Sequence, residues 1–348
     1  MTTMTGVGRT ISNPQAATLE LPGRVVALGG GTGLPTVLRG LRTRLSTDRS
    51  DSLTAIVTVS DDGGSSGRLR KTLGLPPPGD IRNCLVALSE DEHLLGALFQ
   101  HRYGSSSELG GHSVGNLILA ALTEQTGCFV KAIELSSRVL RTAGRILPVT
   151  RQNITLEAEL EDGARVVGES AINNCGRKIR RLSMNPGDAE PTPGVIDSIL
   201  AADLVVLGPG SLHTSVLPNI LVGGVGAALH ETNGLVILVA NLVSERGEAA
   251  GLDLIDHIAT IEEHAGYPVV DAVLVNDSLP RPEVLERYQV EGATPLVWPT
   301  GVRHRAQVVQ RALLAGGMKL RHDAEMTASG LIETWRLHCA TATRPGQP

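Results

Sequence analysis

The sequence predicts an α/β protein with a Rossmann-like, doubly wound, mostly parallel sheet and an inserted helical and β-hairpin region. Three observations lead to this class. Short β-branched and aliphatic runs recur along the chain, helix-length segments separate most of them, and glycine-rich turns follow several of them. Such runs are typical of strands buried on both faces. Their alternation with helices indicates βαβ units, whose right-handed crossovers produce a doubly wound sheet.

The individual elements follow from this alternation. The predicted strands are residues 24–28, 53–59, 204–207, 235–240, 269–275 and, on a weaker pattern, 295–298. The predicted helices between them are residues 34–45, 193–201 and 252–264. With 41% hydrophobic residues, the 348-residue chain can bury the substantial core that such a sheet needs.

One domain is expected, at residues 22–330, between a flexible N-terminal tail, residues 1–21, and a flexible C-terminal tail, residues 331–348. The region of about 80–185 is interpreted as an insertion. It begins with a helical stretch, and two alternating runs around an Asp-Gly turn then predict an antiparallel hairpin. We expect this region to decorate the Rossmann-like domain rather than to form a separate domain.

Composition and charge argue against several classes of function. The net charge is −5 and aromatic residues make up 2% of the chain, so it offers neither a positive field nor base-stacking surfaces for nucleic acid. The N-terminus has no apolar h-region, and no later apolar run approaches about 18 residues. The four cysteines form no C-x-x-C pair for zinc or redox work. We therefore expect a cytoplasmic protein without nucleic acid or membrane partners.

The first glycine-rich turn lies between the first predicted strand and the first predicted helix. A doubly wound fold binds phosphate at this position, because glycine lets backbone N–H groups approach an anion closely. Leu34 occupies the third glycine position of the dinucleotide fingerprint and no Walker lysine follows, so P-loop chemistry is disfavoured. The alternative is a tight turn without a ligand. The candidate ligand contacts are Gly29, Gly30, Gly31, Thr32 and Gly33.

Two acids and two serines follow the second predicted strand, and Asp61, Asp62 and Ser65 are the candidates among them. An acid at this position can contact ribose hydroxyls, and paired carboxylates can instead hold Mg²⁺ against phosphates. In the second case Asp62 is the candidate metal ligand. The alternative is that these residues are simply good turn formers.

A proline-rich loop ends at Asp80, the predicted N-cap of the next helix, and places Arg82 in the first turn with Asn83 beside it. A cation is disfavoured at the positive end of the helix dipole. An anionic ligand or a carboxylate partner explains Arg82, and a solvated side chain explains it equally well. Both readings stay open, with Arg82 and Asn83 as candidate ligand residues.

Two later glycine-rich stretches complete the set of loops. His112 and Asn116 lie at a predicted helix start, where an anion is favoured, although a single histidine is more often structural. A second turn follows the strand at 204–207 and opens the second mononucleotide half, so it should face the same crevice as the first turn. Its candidate contacts are Gly208, Gly210, Ser211 and Thr214.

The chain resembles the YvcK family, or gluconeogenesis-factor-like proteins, within the CofD-like superfamily. The matching strings lie within residues 29–219 and are GGGTGLPTVLRGLR, TAIVTVSDDGGSSGRLR, PPPGDIRNCLVALSE, GHSVGNLILAAL, LEDGARVVGES and VVLGPGSLHTSVLPN. The resemblance implies a Rossmann-like fold and a cytoplasmic bacterial protein that binds UDP-sugars such as UDP-N-acetylglucosamine. It also implies a protein partner and a role that links central carbon use to cell-wall precursor supply and cell shape. It implies no established reaction.

The resemblance adds candidates outside those strings. It points to a tyrosine and an arginine in the C-terminal third, which match Tyr288 and Arg321, for the uridine and sugar end of the ligand. Asn241 opens a stretch, residues 241–249, that follows the family pattern only loosely. His213 stands where tyrosine is usual in the family. These departures concern one wall of the expected site.

Three functions are ranked from these observations. The first is a regulatory sugar-nucleotide sensor that is not an enzyme. The second is a Mg²⁺-dependent, nucleotide-linked phospho-transferase resembling the 2-phospho-lactate transferases, with Asp61 or Asp62 on the metal. The third is an NAD(P)-dependent oxidoreductase, disfavoured because no convincing proton donor accompanies the glycine turn. The sequence leaves the oligomeric state open, with a homo-oligomer among the alternatives.

Overall fold

The structure, a computed structural model, describes residues 21–45, 52–104, 106–244, 251–290 and 292–342. These residues form ten strands: β1 Val25–Gly29, β2 Leu53–Val57, β3 Arg145–Pro148, β4 Thr155–Leu160, β5 Arg165–Val167, β6 Ile179–Asn185, β7 Leu204–Leu207, β8 Leu235–Val239, β9 Ala272–Asn276 and β10 Gln307–Arg311. Seven of them form a parallel sheet in the order β10-β9-β8-β7-β1-β2-β3. The other three form a small antiparallel sheet in the order β5-β4-β6.

Helices flank the main sheet. They are α1 Gly33–Arg44, α2 Gly64–Leu73, α3 Gly79–Leu88, α4 Ala97–Gln100, α5 Val114–Thr126, α6 Phe129–Leu140, α7 Glu169–Asn173, α8 Val195–Leu200, α9 Leu217–Ile220, α10 Val225–Glu231, α11 Leu254–Ala265, α12 Pro282–Val290 and α13 Ala324–Ala342. Two π-helical turns, Glu92–Gly96 and Leu212–Val216, lead into α4 and α9. Within the described ranges no single helix is both long and apolar enough to cross a bilayer, whereas Leu212–Ile220 and Val225–Glu231, bent by 77°, meet the length and composition criteria as a pair.

The α/β class and the central strands are confirmed. Five predicted strands correspond to β1, β2, β7, β8 and β9, and the predicted helices correspond to α1, α8 and α11. Every residue of β1, β2, β7 and β8 is buried, as expected for strands covered on both faces. The predicted hairpin is the antiparallel pair β4 and β5.

Two predictions about the sheet are wrong. The region 80–185 does not only decorate the domain, because β3 pairs with β2 in the main sheet. A four-residue run that ends in proline carries little strand signal, and its edge position tolerates the missing N–H. Residues 295–298 form no strand but a single bridge, between Val243 and Pro295. The other edge strand is instead β10, whose polar residues alternate with two valines.

The prediction of a flexible tail from residue 331 is also wrong, because α13 continues to Ala342. Leu331 and Ala328 of this helix are buried, and a Cβ on Gly40 of α1 would lie 1.9 Å from the carbonyl oxygen of Ala324. The apolar face of α13 therefore packs closely on α1. Residues 1–20 and 343–348 of the predicted tails, and residues 245–249 of the divergent stretch, lie outside the described residues.

The strand order places a crevice at one edge of the sheet. From the adjacent strands β1 and β7 the chain proceeds outward in opposite directions, through β2 and β3 on one side and through β8, β9 and β10 on the other. The carboxyl ends of β1 and β7 therefore form the topological switch point, where doubly wound proteins bind their ligands.

Candidate functional site

The two glycine-rich turns meet at the switch point. A Cβ on Gly33 would lie 2.1 Å from the carbonyl oxygen of Pro209, so only glycine permits this approach of the first turn to the second. Gly29 ends β1 and Gly208 directly follows β7, and a Cβ on Gly29 would lie 3.8 Å from the Cα of Gly208. The expectation that both turns face one crevice is confirmed by this contact.

A cavity of about 700 Å³ opens between the turns. We call it the switch-point cavity. Its lining includes ten of the candidates from the sequence: Gly30, Gly31, Thr32, Gly33, Asn83, Gly210, Ser211, Thr214, Asn241 and Arg321. Its volume lies within the range of about 300–1,000 Å³ that is usual for small-molecule sites.

The first glycine-rich turn packs against the Asp80 carboxylate. A Cβ on Gly30 would lie 2.8 Å from an Asp80 carboxylate oxygen, and the N–H of Gly31 donates a hydrogen bond to that carboxylate. Burial raises the pKa of Asp80 to about 6, although this hydrogen bond opposes the rise. The prediction that Asp80 caps α3 is wrong, because Pro78 is the N-cap and Asp80 points from the first helical turn to the glycines.

The second turn is fixed by polar side chains. The Oδ1 of Asn241 accepts from the Gly210 N–H at 3.0 Å, and its Nδ2 donates to the Gly210 carbonyl at 2.9 Å. Ser211 Oγ accepts from the N–H of Thr214 at 3.1 Å. Asn241 and Ser211 thus hold the backbone of the turn in place at the cavity wall.

Helix α7 supplies a wall that the sequence did not predict. Glu169 and Asn173 line the switch-point cavity, and the hydroxyl of Thr214 donates to Asn173 Oδ1 at 2.9 Å. Asn173 Nδ2 in turn donates to Glu169. Burial, followed by the nearby charges of Asp61 and Asp62, raises the pKa of Glu169 to about 7. A carboxyl group that titrates near neutral pH therefore faces the cavity.

A second, smaller cavity of about 210 Å³ adjoins the first, with Asn83 in the lining of both. We call it the polar cavity, because no apolar side chain of the described residues lines it. Its lining consists of Asp61, Gly63, Gly64, Ser65, Ser66, Gly79, Asp80, Arg82, Asn83, Arg102 and Asn116. Five of these residues, Asp61, Ser65, Arg82, Asn83 and Asn116, are sequence candidates.

Arg82 is the centre of a buried network at the polar cavity. Its side chain is only 6% exposed, so the interpretation as a solvated arginine is wrong. Nη1 donates to Ser113 Oγ at 2.6 Å and to Asn116 Oδ1 at 3.2 Å, and Nη2 donates to Asn83 Oδ1 at 2.7 Å. Burial and then Arg102 lower the pKa of Arg82 to about 10, opposed by the carboxylates of the cavity.

The network extends to His112. Asn116 Nδ2 donates to Ser65 Oγ at 3.0 Å, and Ser65 Oγ is hydrogen-bonded to His112 Nδ1 at 3.0 Å. Burial, followed by Arg68 and Arg102, lowers the pKa of His112. His112 lies behind Ser65 and does not line either cavity.

Two further candidates support walls rather than form them. Asp62 Oδ1 accepts from the N–H of Ser170 at 2.9 Å and so anchors the start of α7. The Tyr288 hydroxyl accepts from the N–H of Leu320 at 3.2 Å, behind the wall that carries Arg321. Among the described residues, no group of three or more histidine, cysteine, aspartate or glutamate side chains could hold a metal ion. A metal at Asp62 stays a prediction.

Two lining residues add charge and polarity without having been predicted. Arg39 of α1 lines the switch-point cavity, and its Nε donates to Glu92 at 2.6 Å. His322 lines the opposite wall beside Arg321, and its Nε2 donates to the Ala240 carbonyl at 3.1 Å. Burial lowers the pKa of His322 to about 4. Its neutral ring therefore keeps Nδ1 as an acceptor.

Comparison with known proteins places this geometry in a family. The family model described as 2-phospho-L-lactate transferase CofD matches residues 25–314. The chain is 47% identical over 315 residues to the gluconeogenesis factor of Halalkalibacterium halodurans, which covers 89% of this chain and 95% of that protein. It is 44% identical over 273 residues to the gluconeogenesis factor of Bacillus subtilis, with 78% and 84% covered.

The fold is also that of solved relatives. A crystal structure of a Bacillus halodurans protein matches with a TM-score of 0.83 at 42% sequence identity, and covers 88% of this chain and 98% of that one. A second crystal structure of the same protein, described as a member of the UPF0052 family, matches with a TM-score of 0.82 at 42% identity and covers 88% of this chain and 98% of that one.

Proposed function

The chain belongs to the CofD family and, within it, to the gluconeogenesis factors, and on this basis we propose that it is a regulatory protein that binds a sugar nucleotide of the UDP-N-acetylglucosamine type. The observation that carries the proposal is the switch-point cavity, which both glycine turns line. Backbone groups at such turns favour phosphate oxygens. Arg39 and Arg321 add guanidinium groups on two walls, and guanidinium binds pyrophosphate oxygens as a planar fork.

The regulatory part of the proposal rests on the relatives. The name of these relatives, gluconeogenesis factor, favours a role in coordinating carbon metabolism. We propose that the protein performs this role by acting on a protein partner in cell-wall precursor synthesis. A cytoplasmic location is part of the same proposal. An NAD(P) ligand ranks lower, since the third fingerprint glycine is replaced by Leu34.

Calorimetry with UDP-N-acetylglucosamine, a guanosine nucleotide and NADP⁺, each with and without Mg²⁺, tests the proposal. We expect the UDP-sugar to bind most tightly and without a requirement for Mg²⁺. Arg321→Ala should weaken that binding by about 1–3 kcal/mol, the scale of a hydrogen bond to a charged group. Arg336→Ala, which removes an exposed arginine of α13 outside both cavities, is the matched control. Failure of the wild-type protein to bind any UDP-sugar would reject the proposal.

A second candidate function is a Mg²⁺-dependent phospho-transferase. It is favoured by the description of the family model and by Glu169, whose pKa of about 7 suits a base that accepts the proton of an attacking hydroxyl. Asp61, beside it, is available to help hold Mg²⁺ against the phosphates. This candidate predicts a phosphorylated product from a lactate-like acceptor, formed only with Mg²⁺ and lost in Glu169→Gln. Nucleotide binding without any product would favour the regulatory function.

A further inference from the structure

The polar cavity contains hydrogen-bonding groups that the described part of the chain leaves unused. The Nη2 of Arg82 donates to Asn83, and its second N–H has no acceptor among the described residues, although the side chain is almost fully buried. Ser66 of α2 is only 4% exposed, and its hydroxyl makes no hydrogen bond with any described residue. Asp61 Oδ1 accepts from the Gly63 N–H at 2.9 Å, whereas no described donor engages its Oδ2. A donor, an acceptor and a hydroxyl are therefore available in one small space.

The charges of this space balance. Its lining carries two guanidinium groups, Arg82 and Arg102, and two carboxylates, Asp61 and Asp80. Neither arginine forms an ion pair within 4.0 Å among the described residues. A guanidinium and a carboxylate that face one cavity without touching can both be satisfied by a neutral group that accepts from one and donates to the other. A hydroxyl does both.

Size and lining narrow the choice of ligand group. The volume of about 210 Å³ equals that of about seven water molecules at about 30 Å³ each, which suits a single sugar ring. Among the residues that the structure describes, no aromatic or aliphatic side chain lines the space, so they offer a nucleobase no stacking surface. The first turns of α2 and α3 add backbone N–H groups, which hydroxyl oxygens also accept.

We infer that the polar cavity binds the hydroxylated sugar ring of the nucleotide ligand, with Asp61 Oδ2 accepting from one ring hydroxyl and Arg82 and Ser66 contacting others. The inference rests on the proposed function, because the sugar reaches this cavity from a pyrophosphate at the glycine turn. Asn83 lies where the two cavities adjoin. It lines both of them, and its Nδ2 donates to the Gly31 carbonyl at 3.5 Å. In this arrangement the loop after β2 contacts the sugar rather than the ribose or a metal. Arg321, which the family resemblance assigned to the uridine and sugar end, contacts the pyrophosphate instead.

The test separates the sugar from the rest of the ligand. Calorimetry compares UDP with UDP-N-acetylglucosamine on the wild type, where we expect the sugar nucleotide to bind at least about tenfold more tightly. In Ser66→Ala and in Asp61→Asn, which keeps the acceptor for Gly63, this ratio should fall by about 2- to 10-fold, the range of one hydrogen bond. The affinity for UDP should stay unchanged in both variants.

Two matched controls exist in the chain. Ser136 is, like Ser66, a buried helical serine without a hydrogen-bond partner, and it lies outside both cavities. Asp162 forms the same kind of turn as Asp61, with Oδ1 accepting from the Ala164 N–H at 3.1 Å. Ser136→Ala and Asp162→Asn should leave the ratio of the two affinities unchanged. Thermal unfolding of each variant verifies that the fold is retained.

The outcomes are distinguishable. If the wild type binds neither compound, the proposed function fails together with the inference. If UDP and UDP-N-acetylglucosamine bind equally well, or if both site variants keep the wild-type ratio, the inference is overturned while the proposed function stands.

Discussion

Replacing Glu169 by glutamine tests whether the carboxyl groups around the switch-point cavity destabilise the fold when they are ionised. Glu169 begins α7, lines this cavity and accepts a hydrogen bond from Asn173. Burial, and then the charges of Asp61 and Asp62, raise its pKa to about 7. Glutamine keeps an acceptor oxygen for Asn173 and removes the charge, so the variant isolates the electrostatic effect.

The sign and size of the effect follow from the two pKa values of this group. The folded-state pKa of about 7 lies above the ordinary value of 4.5, so the folded protein binds this proton more tightly than the unfolded chain does. The resulting stabilisation is fully present below pH 4.5 and is lost as the pH rises through about 7. At about 1.36 kcal/mol per pKa unit, the loss is at most about 3 kcal/mol at pH 8.

Urea unfolding at pH 5 and pH 8 measures this loss. Relative to the wild type, Glu169→Gln should gain up to about 2.5 kcal/mol of unfolding free energy between pH 5 and pH 8. Glu157→Gln is the matched control, because Glu157 lies on β4 of the hairpin that precedes α7 and outside both cavities. It should show no such gain. If Glu169→Gln and the wild type differ by the same amount at both pH values, the electrostatic reasoning is refuted.

Three further perturbations test the rest of the site. Asn241→Ala removes both hydrogen bonds to Gly210, so its urea midpoint should correspond to a loss of about 2 kcal/mol and nucleotide binding should weaken; wild-type values for both would contradict the assigned role. Gly33→Ala forces the turns apart at Pro209 and should lower the unfolding free energy by about 1–3 kcal/mol, and an unchanged urea midpoint would show that the turns can separate freely. His322→Gln should lose less unfolding free energy than the wild type as the pH drops from 6.5 towards 4, because burial lowers the pKa of His322 to about 4 and the folded protein binds that proton less tightly than the unfolded chain does; equal losses in the two proteins would rule this out.

The central strands could be predicted because burial on both faces leaves a continuous apolar signature. β1, β2, β7 and β8 carry that signature at every residue. The two edge strands do not, because an edge position tolerates the proline of β3 and the glutamines of β10. The fold class therefore followed from local pattern, whereas the ends of the sheet depended on tertiary pairing.

The residues of the candidate site likewise fall into those that local sequence predicts and those that only tertiary packing brings together. The glycine turns and their polar neighbours were predictable because they follow strands whose carboxyl ends must meet at the switch point. Asp80, Arg39 and His322 reach the cavities from elements whose mutual packing no local pattern encodes. Arg82 shows the limit most clearly. Its sequence position revealed an unfavourable cation, but only the fold brings Ser113 and Asn116 to its guanidinium.

The short helix α7, which follows the inserted hairpin, completes the site, because a loop after β2 and a turn after β7 both direct side chains to it. Asp62 binds the first turn of α7 through Ser170, and Thr214 binds its last residue, Asn173. Helix α7 thus contacts segments from both halves of the sheet and lines the switch-point cavity. Because α7 has only five residues and cannot be stable alone, its position depends on these contacts. The acids after β2 therefore shape the nucleotide site through α7 as well as through any ligand they bind.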